Sequence, residues 1–368
     1  MRVKVERNRF LKSLGRVHRV VERRNTEGLL SHMLLCAQDG SLVLRATNLE
    51  IEISECIEAE VMEGGTITVP AFLFYDIIRK LPEEGEILLN ASSGSLSLVS
   101  GHANFNLVCA NGEGFPSLSG DDFSCKFSLS AKDLKRLLDA TRPAVSTDDT
   151  RYFLNGVYLH IEENEKLRAV ATDAHRLALA QMPAPEGAIG MQGIIIPNKT
   201  LIELQKLLSE ELEAELTLEI SESKIQIRMG ALLLISMLID GVFPPYQRVI
   251  PMNNDKKVIV NRQIFSSAVD RVSTISKERG NAVKFVISQD EIKISVHNSD
   301  YGSADDSVSC SYRGEEITIG FNARYLIEIM SQLSSDDIVF FLAGTESSTL
   351  VRAEDDEDIF YVLMPMRV

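Results

Sequence analysis

The chain has 368 residues, of which 45% are hydrophobic and 25% are charged, and its net charge is -15 at pH 7. This composition excludes a disordered or fibrous protein and supplies enough apolar side chains for two or three cores. The longest apolar run, Ala231 to Ile239, is far shorter than the roughly 20 residues of a membrane span. Because the N-terminus is charged where a secretory signal would be apolar, we expect a cytoplasmic protein.

An amphipathic helix is predicted near the N-terminus, in the segment RFLKSLGRVHRVVERR. Its basic residues recur every three or four positions and would share one stripe of a helix: Arg9, Lys12, Arg16, Arg19 and Arg23. Apolar residues with the same spacing would lie on the nearly opposite side: Phe10, Leu14, Val17 and Val21. The pattern predicts a buried apolar face and a cationic front, although such a stripe is also typical of an ordinary solvated helix face.

Three stretches of the chain are copies of one pattern, in which a β-branched strand end leads into an amphipathic helix that ends in leucine. The terminal leucines, Leu81, Leu207 and Leu333, are spaced at intervals of 126 residues. A period this long corresponds to a whole domain, since solenoid repeats are several times shorter. We therefore predict three like domains, at 1–124, 125–251 and 252–368.

The second and third copies repeat the amphipathic helix. Ser130 to Asp133 has the pattern of a capping box. The cations and the apolar residues of the second copy fall on separate sides: Lys132, Lys135, Arg136 and Arg142 against Leu134, Leu137 and Leu138. In the third copy the expected buried face is Ile264, Phe265, Ala268, Val269 and Val272, and its charges are fewer: Arg271, Lys277 and Arg279. Segregated cations in an acidic chain suggest one surface that faces a polyanion.

The remainder of each copy alternates between apolar and polar residues, which is typical of antiparallel hairpins. The clearest pairs of runs lie at 87–98, 216–227 and 285–294. The predicted fold class is α+β, with two helices against antiparallel sheets in each domain. Edge strands at the ends of such a chain need a cover, and head-to-tail association that closes would make a ring.

The sequence carries none of the familiar signatures of catalysis. The chain has no phosphate loop, dinucleotide fingerprint, zinc-protease motif or nucleophile elbow. Its six histidines and five cysteines are scattered, and its adjacent acidic pairs fall in polar settings. We therefore expect a protein that is not an enzyme and holds no metal or cofactor.

Several segments together resemble one known family. They are VERNRFLKSL near the start, ATDAHRLA at 171–178, VFPPYQRVIP at 242–251, GFNARYL at 320–326 and a chain that ends in MPMRV. Over its full length the chain resembles the bacterial DNA sliding clamps, the β subunit of DNA polymerase III. The resemblance implies a homodimeric ring of three-domain subunits around duplex DNA, which tethers polymerase, clamp loader and repair proteins for processive synthesis.

The resemblance also implies DNA-facing residues. Arg24 and the pair Tyr152 and Phe153 would touch DNA, with Lys12 and Arg16 as companions on the N-terminal helix. Core packing is an equal alternative for Phe153. Asp148 stands where the family has a neutral amide.

A second implied site is a pocket for short partner peptides on the third domain, near the second. Its lining would be Leu154, Thr172, Ala174, His175, Arg176, Leu177, Pro244, Arg248, Val249, Asn322, Tyr325, Ser348, Val362, Met364, Pro365, Met366 and Arg367. Arg176, Arg248 or Asn322 would hold a ligand's carbonyl or carboxylate groups, and methionine would adapt to several ligands. The alternative is an ordinary final strand beside a turn histidine. The chain departs from the family pattern at four positions: Ala174, Pro245, Gly280 and Glu346.

The dimer contact implied by the resemblance involves Phe105 and Leu107 in the first domain and Ile275 in the third. A core role is the alternative for each. The residues alone are also compatible with two other functions, namely a peptide-binding adaptor that does not encircle DNA and a nucleic-acid enzyme with an unrecognised site.

Overall fold

The structure is a computed structural model that describes residues 1–23, 28–120, 122–162, 165–276 and 282–368. The described residues form six α-helices: α1 (Arg7–Val17), α2 (Ala71–Lys80), α3 (Ala131–Thr141), α4 (Asn198–Glu210), α5 (Arg262–Ser273) and α6 (Ala323–Gln332). They also form the following strands: β1 (Arg2–Glu6), β2 (His32–Gln38), β3 (Ser41–Thr47), β4 (Ile51–Glu58), β5 (Glu60–Glu63), β6 (Gly65–Pro70), β7 (Glu86–Ser92), β8 (Ser95–Ser100), β9 (Ala103–Val108), β10 (Ala110–Asn111), β11 (Cys125–Ser130), β12 (Gly156–Ile161), β13 (Lys166–Thr172), β14 (Arg176–Pro183), β15 (Ile194–Pro197), β16 (Glu215–Ile220), β17 (Lys224–Met229), β18 (Leu232–Met237), β19 (Lys256–Asn261), β20 (Ala282–Ser288), β21 (Glu291–Asn298), β22 (Gly302–Ser311), β23 (Ile317–Asn322), β24 (Asp337–Leu342), β25 (Thr349–Ala353) and β26 (Ile359–Leu363).

The chain divides into two compact units. The first comprises Met1–Lys132, Pro185–Ala188 and Ile202–Leu238, and the second comprises Asp133–Ala184, Ile189–Leu201 and Ile239–Val368. No described helix has both the length and the apolar composition needed to cross a membrane.

The first unit contains two antiparallel sheets. One has nine strands in the order β10-β6-β2-β3-β4-β18-β17-β16-β11, and the other has five in the order β5-β1-β7-β8-β9. In the larger sheet β4 pairs with β18, and Ile53 lies opposite Leu234. Strands far apart in sequence therefore share one continuous row of backbone hydrogen bonds.

The second unit is built on one sheet of twelve strands, in the order β15-β12-β13-β14-β26-β25-β24-β19-β22-β21-β20-β23. Strand β14 pairs with β26, so that Leu177 lies opposite Val362. This register brings the ATDAHRLA segment beside the C-terminal segment. Both segments were predicted to belong to one pocket.

The predicted hairpins are confirmed. Their apolar residues face each other across adjacent strands: Leu89 with Leu98, Leu218 with Ile227 and Phe285 with Ile294. The turns fall at the predicted polar positions, and Ser93 takes the positive φ that a tight turn requires.

Helix α1 buries the predicted apolar face, since Phe10, Leu14 and Val17 are inaccessible to solvent. The predicted extension of the helix to Arg23 is wrong. The α-helix ends at Val17, a 3₁₀ turn covers His18–Val20, and Val21 is extended. Three valines within five positions disfavour continuation of the helix, because β-branched side chains are restricted there.

The helices of the later copies follow the prediction with two exceptions. Helix α3 begins directly after Ser130, and its three leucines are buried. In α5, however, Ile264 is exposed, because it lies in the first turn, one position before the stripe that begins at Phe265 and faces the core. Helix α4 does not end at Leu207 but continues to Glu210. This extra turn carries Glu210 beyond the buried leucine.

Candidate DNA-facing and partner-binding sites

The basic side chain at the centre of α1 is enclosed by carboxylates. Arg16 is only 4% exposed. Its Nη1 lies 3.0 Å from Glu55 Oε1, its Nε lies 2.8 Å from Glu210 Oε2, and its Nη2 also donates to Glu211. A buried charge must be paired, and these three carboxylates pair with Arg16. Arg16 is therefore not the exposed cation that the helical stripe predicted.

Three other cations of the stripe are also paired with carboxylates of the first unit, whereas the guanidinium carbon of Arg23 lies 4.8 Å from the centroid of the Phe72 ring. The pairs are Arg9 with Glu58, Lys12 with Glu211 and Arg19 with Glu210. Lys12 keeps 61% of its side chain exposed. The predicted cationic front is thus a surface of mixed charge, and Lys12 is the accessible member of the two helix residues that were expected to face DNA. Arg24, also expected there, lies outside the described residues, as do Lys277 and Arg279.

The aromatic pair expected at DNA lies on a 3₁₀ turn, Asp149–Leu154. Tyr152 is 54% exposed, whereas Phe153 is half-buried and packs against the apolar cluster beneath it. Their ring centroids are 5.8 Å apart in an edge-to-face arrangement. Tyr152 is therefore accessible to a ligand, while Phe153 also has the packing role that was its alternative.

Asp148 fixes the beginning of this turn. Its carboxylate accepts hydrogen bonds from the backbone N–H of Thr150 at 3.0 Å and from Arg151 Nε at 2.9 Å. Hydrogen bonds from Thr150 and then from Arg151 lower the pKa of the Asp148 carboxyl. The Asp148 side chain is therefore committed to the turn.

An apolar cluster in the second unit brings together several predicted pocket residues. Leu154, Leu177 and Val362 are buried there against Phe243 and Tyr246. At their edge lie side chains that remain accessible: Pro244, Arg248, Val249 and Met364. The buried members can only form the floor of a binding surface, so a ligand must contact the accessible ones.

Backbone contacts hold the C-terminal segment beside β14. The N–H of Met364 donates to the carbonyl of His175 at 3.0 Å, and the N–H of Met366 donates to Gly320 at 2.8 Å. Met364 itself is 47% exposed. Ala174 has φ of +74°, a left-handed conformation that favours glycine.

Arg176 is not free to hold a ligand, contrary to expectation. Its Nε lies 3.1 Å from Asp173 Oδ2, its Nη1 lies 2.6 Å from Glu328 Oε2, and its Nη2 donates to the carbonyl of Pro143. The guanidinium carbon is 4.0 Å from the centroid of the Tyr325 ring. Arg176 therefore organises the site rather than presenting a charge to a ligand.

Asn322 has a similar structural commitment. It is the N-cap of α6, where its Oδ1 accepts from the N–H of Arg324 at 3.0 Å. The remaining predicted residues lie in accessible or half-buried positions: Thr172, His175, Tyr325, Ser348, Pro365, Met366 and Arg367. Glu346, one of the departures from the family, lines a cleft of about 620 Å³ together with the last four residues. Gly280 lies outside the described residues.

A buried polar network under the apolar cluster was missed by sequence analysis. His160 Nε2 lies 3.0 Å from the Tyr246 hydroxyl, which also donates to Glu162 at 3.3 Å. Arg168 is opposite His160 across β12 and β13, and its Nη1 lies 2.8 Å from Glu162. Burial raises the pKa of Tyr246 to about 12, and burial lowers the pKa of His160. The alternation of β12 and β13 could have indicated the cross-strand pair, but not the tyrosine 78 positions after Arg168.

A polar cleft of about 590 Å³ was also not anticipated. It lies in the second unit, between the segment after α3 and helix α6. Its lining consists of Arg142, Pro143, Val145, Ser146, Thr147, Asp148, Arg151, Asp173, His175, Arg176, Asn198, Arg324, Tyr325, Glu328, Ser331 and Gln332. Three of these, His175, Arg176 and Tyr325, also belong to the predicted peptide pocket.

The residues expected at a dimer contact are partly accessible. Phe105 and Leu107 are half-buried on one face of β9, the outer strand of the five-stranded sheet. Ile275 is half-buried in a 3₁₀ turn, Thr274–Ser276. None of the three is fully enclosed in a core.

Comparison with known proteins identifies the family to which this chain belongs. Three family models match consecutive parts of the chain: DNA polymerase III beta subunit, N-terminal domain at residues 1–119, central domain at 128–245 and C-terminal domain at 247–367. The chain belongs to the DNA polymerase III beta subunit family. The fold is accordingly α+β with three clamp-type domains, as predicted, and the family is a non-catalytic processivity subunit.

Relatives among the beta sliding clamps match over the full chain. The beta sliding clamp of Caulobacter vibrioides is 44% identical, and that of Escherichia coli K12 is 33% identical, with all of each chain covered. The chain is also similar to the crystal structure of the Bartonella birtlesii sliding clamp bound to griselimycin, with a TM-score of 0.97, 52% identity and full coverage of both chains. The predicted boundaries at 124/125 and 251/252 and the roles of the individual site residues stay predictions.

Proposed function

We propose that two copies of this chain close into a ring around duplex DNA and hold polymerase and repair proteins through short peptides. The observation that carries the proposal is the match of the whole chain to the beta sliding clamps. The outer strand β9 supports a ring, since it presents Phe105 and Leu107 at an edge without an in-chain neighbour among the described strands. A ring of this kind would retain the polymerase by topology rather than by affinity.

The proposed DNA contacts are weak and independent of sequence. Lys12 and Tyr152 are accessible for such contacts, Arg24 is carried over from the family, and Phe153 would contribute from its half-buried position. Contacts to phosphates position a protein without reading bases, and they weaken with salt through counterion release. The pairing of Arg16 with carboxylates removes it from this set. A nearly neutral helix surface suits a ring that must slide.

The proposed peptide cleft lies over the apolar cluster of Leu154, Leu177 and Val362. Val249 and Met364 supply accessible apolar surface at its edge. Methionine is flexible and polarisable, so it can adapt to different ligands. These features suit an apolar motif presented by several partners.

The ring is tested by retention on DNA. The protein is loaded with a clamp loader onto nicked circular DNA, and the complex is then linearised with a restriction enzyme. We expect retention on the circle and loss from the linear form, together with a dimeric mass by light scattering. Equal retention on both forms, or a monomer, would instead favour an adaptor that does not encircle DNA.

The cleft is tested with griselimycin, which is bound in the structure of the Bartonella birtlesii relative. We expect Met364→Ala to weaken griselimycin binding about fivefold, because truncation of an interface side chain costs about 1 kcal/mol. Met252→Ala is the matched control, since Met252 is 85% exposed in the same unit and is not a predicted cleft residue. Equal affinities of the two variants, measured by fluorescence polarisation, would place the cleft elsewhere.

A further inference from the structure

The polar cleft of about 590 Å³ contains an arginine that has no partner among the described residues. Arg142 lies in a 3₁₀ turn, Arg142–Ala144, directly after α3. Its Nε is shielded from solvent and forms no hydrogen bond. A buried donor without an acceptor costs about 1–3 kcal/mol, so this group gains from any ligand that brings an acceptor.

The other cations of the cleft are already committed. Arg151 Nε lies 2.9 Å from Asp148, and Arg324 Nε lies 2.8 Å from Glu328. Arg176 is held by Asp173 and by Glu328. Arg142 therefore differs from its neighbours in carrying a charge that no described carboxylate neutralises.

A second polar atom of the cleft wall also lacks a partner, and it has the opposite character. Asn198 Oδ1 is shielded from solvent and accepts no hydrogen bond from the described residues. Two residues that line the cleft thus carry polar atoms left unsatisfied by the described residues, one on a cationic donor and one on a neutral acceptor. A ligand that satisfies both must carry an anionic acceptor and an N–H donor, which a peptide segment with an acidic side chain provides.

The cleft shares three lining residues, His175, Arg176 and Tyr325, with the proposed peptide site. We propose that this cleft binds an acidic residue that flanks the apolar motif of a partner peptide, with the carboxylate at Arg142 and the peptide N–H at Asn198. The inference rests on the proposed function, since it extends the same peptide beyond the apolar cluster.

A nucleic-acid strand fits this cleft less well. Asp148, Asp173 and Glu328 also line it, and hydrogen bonds from Arg324 and Arg176 outweigh burial to lower the pKa of Glu328. Repeated phosphates would meet these carboxylates at close range. A single carboxylate can reach Arg142 without the same repulsion.

The experiment uses labelled peptides that share a core of two leucines and a phenylalanine. They differ in a flanking pair, Asp-Asp or Asn-Asn, placed at either end. Binding to the full chain is measured by fluorescence polarisation, with griselimycin as competitor. We expect one Asp-Asp peptide to bind the wild type about fivefold more tightly than its Asn-Asn counterpart. This ratio of affinities lies between the effect of an exposed ion pair and that of a buried, charge-assisted hydrogen bond.

Arg142→Gln is expected to abolish this preference while the Asn-Asn peptides bind as before. Arg228→Gln is the matched control, because Arg228 is exposed on β17 in the first unit and should keep the preference. Thermal unfolding of both variants verifies that the chain remains folded.

Each other outcome overturns the inference in a recognisable way. A preference that is absent from the wild type, or that survives Arg142→Gln, refutes the acidic subsite but leaves the peptide cleft intact. Failure of the Asn-Asn peptides to compete with griselimycin refutes the peptide cleft itself, and the subsite with it. Binding of oligothymidylate that is lost in Arg142→Gln, with equal affinities for the two peptides, would assign the cleft to nucleic acid.

Discussion

Arg16 shows how strongly a single side chain can be fixed by its surroundings. Its guanidinium donates to Glu55, Glu210 and Glu211, and its planar array of donors matches several carboxylates at once. A lysine could not make the same contacts. The three carboxylates would be left close together without compensation if the charge were removed.

We predict that Arg16→Met lowers the free energy of unfolding by about 3 kcal/mol, because breaking a buried ion pair leaves uncompensated charge. Lys12→Met removes one exposed pair from the same helix and should cost less than about 1 kcal/mol. Urea denaturation at pH 7 measures both. Equal effects of the two substitutions would contradict the special role assigned to Arg16.

Ala174 occupies a backbone conformation that suits glycine, with φ of +74°. We predict that Ala174→Gly raises the free energy of unfolding by about 0.5–1 kcal/mol, since it removes the strain of a Cβ in the left-handed region. Ala343→Gly is the control and should lower it, because Ala343 lies outside the positive-φ positions and glycine gains entropy in the unfolded chain. Thermal unfolding measures both variants. A free energy of unfolding that is unchanged or lowered by Ala174→Gly would show that the turn is not strained.

At the level of elements, periodicity predicted the helices and hairpins but not their contacts with distant parts of the chain. Spacing identified the hairpins, the buried face of α1 and the start of α3, because side-chain periodicity determines which residues share a face. It could not reveal that Glu210 and Glu211, almost 200 positions away, face the basic stripe of α1. For the same reason the cleft around Arg142 was not foreseen, since its walls come from separate segments of the chain.

The pairing of α1 with the end of α4 predicts a dependence of stability on pH. Hydrogen bonds from Arg16 and then from Lys12 lower the pKa of Glu211 from its ordinary value of 4.5. A carboxyl with a lowered pKa in the folded state contributes stability above its unfolded pKa, and this contribution is lost as the pH falls through the folded value. We therefore expect the free energy of unfolding to fall as the pH drops below about 4.5.

Glu211→Gln should make the free energy of unfolding fall less steeply with decreasing pH, because the glutamine side chain does not bind a proton in this range. Glu113→Gln changes an exposed glutamate of the same unit and serves as the control. Urea denaturation between pH 3 and pH 6 gives the slope of the free energy of unfolding against pH for each variant, because this range spans about 1.5 units on either side of the ordinary glutamate pKa of 4.5. Identical slopes for the two variants would argue against the contribution of Glu211.

At the scale of the whole molecule, the outer strand β9 is the proposed junction between two chains. Phe105 and Leu107 lie on one of its faces, and Val108 lies exposed on the other. We predict that the double substitution Phe105→Asp and Leu107→Asp converts the dimer to a monomer and abolishes retention on nicked circular DNA. Buried unpaired carboxylates would prevent the apolar contact.

Val108→Asp is the matched control for this substitution and should leave the dimer intact. Griselimycin binding should persist in both variants, since the proposed cleft is formed by other residues. Light scattering gives the mass of each variant. A double variant that remains dimeric would exclude β9 as the junction.

The pairings of β4 with β18 and of β14 with β26 determine where a closed ring of such chains can be parted. At each pairing, five successive residues lie opposite five on the neighbouring strand, and these rows must separate together. Opening inside a subunit would therefore have to break a whole row of backbone hydrogen bonds. The gap through which DNA is threaded should form where two separate chains meet, and the amides of these rows should be among the last to exchange with heavy water.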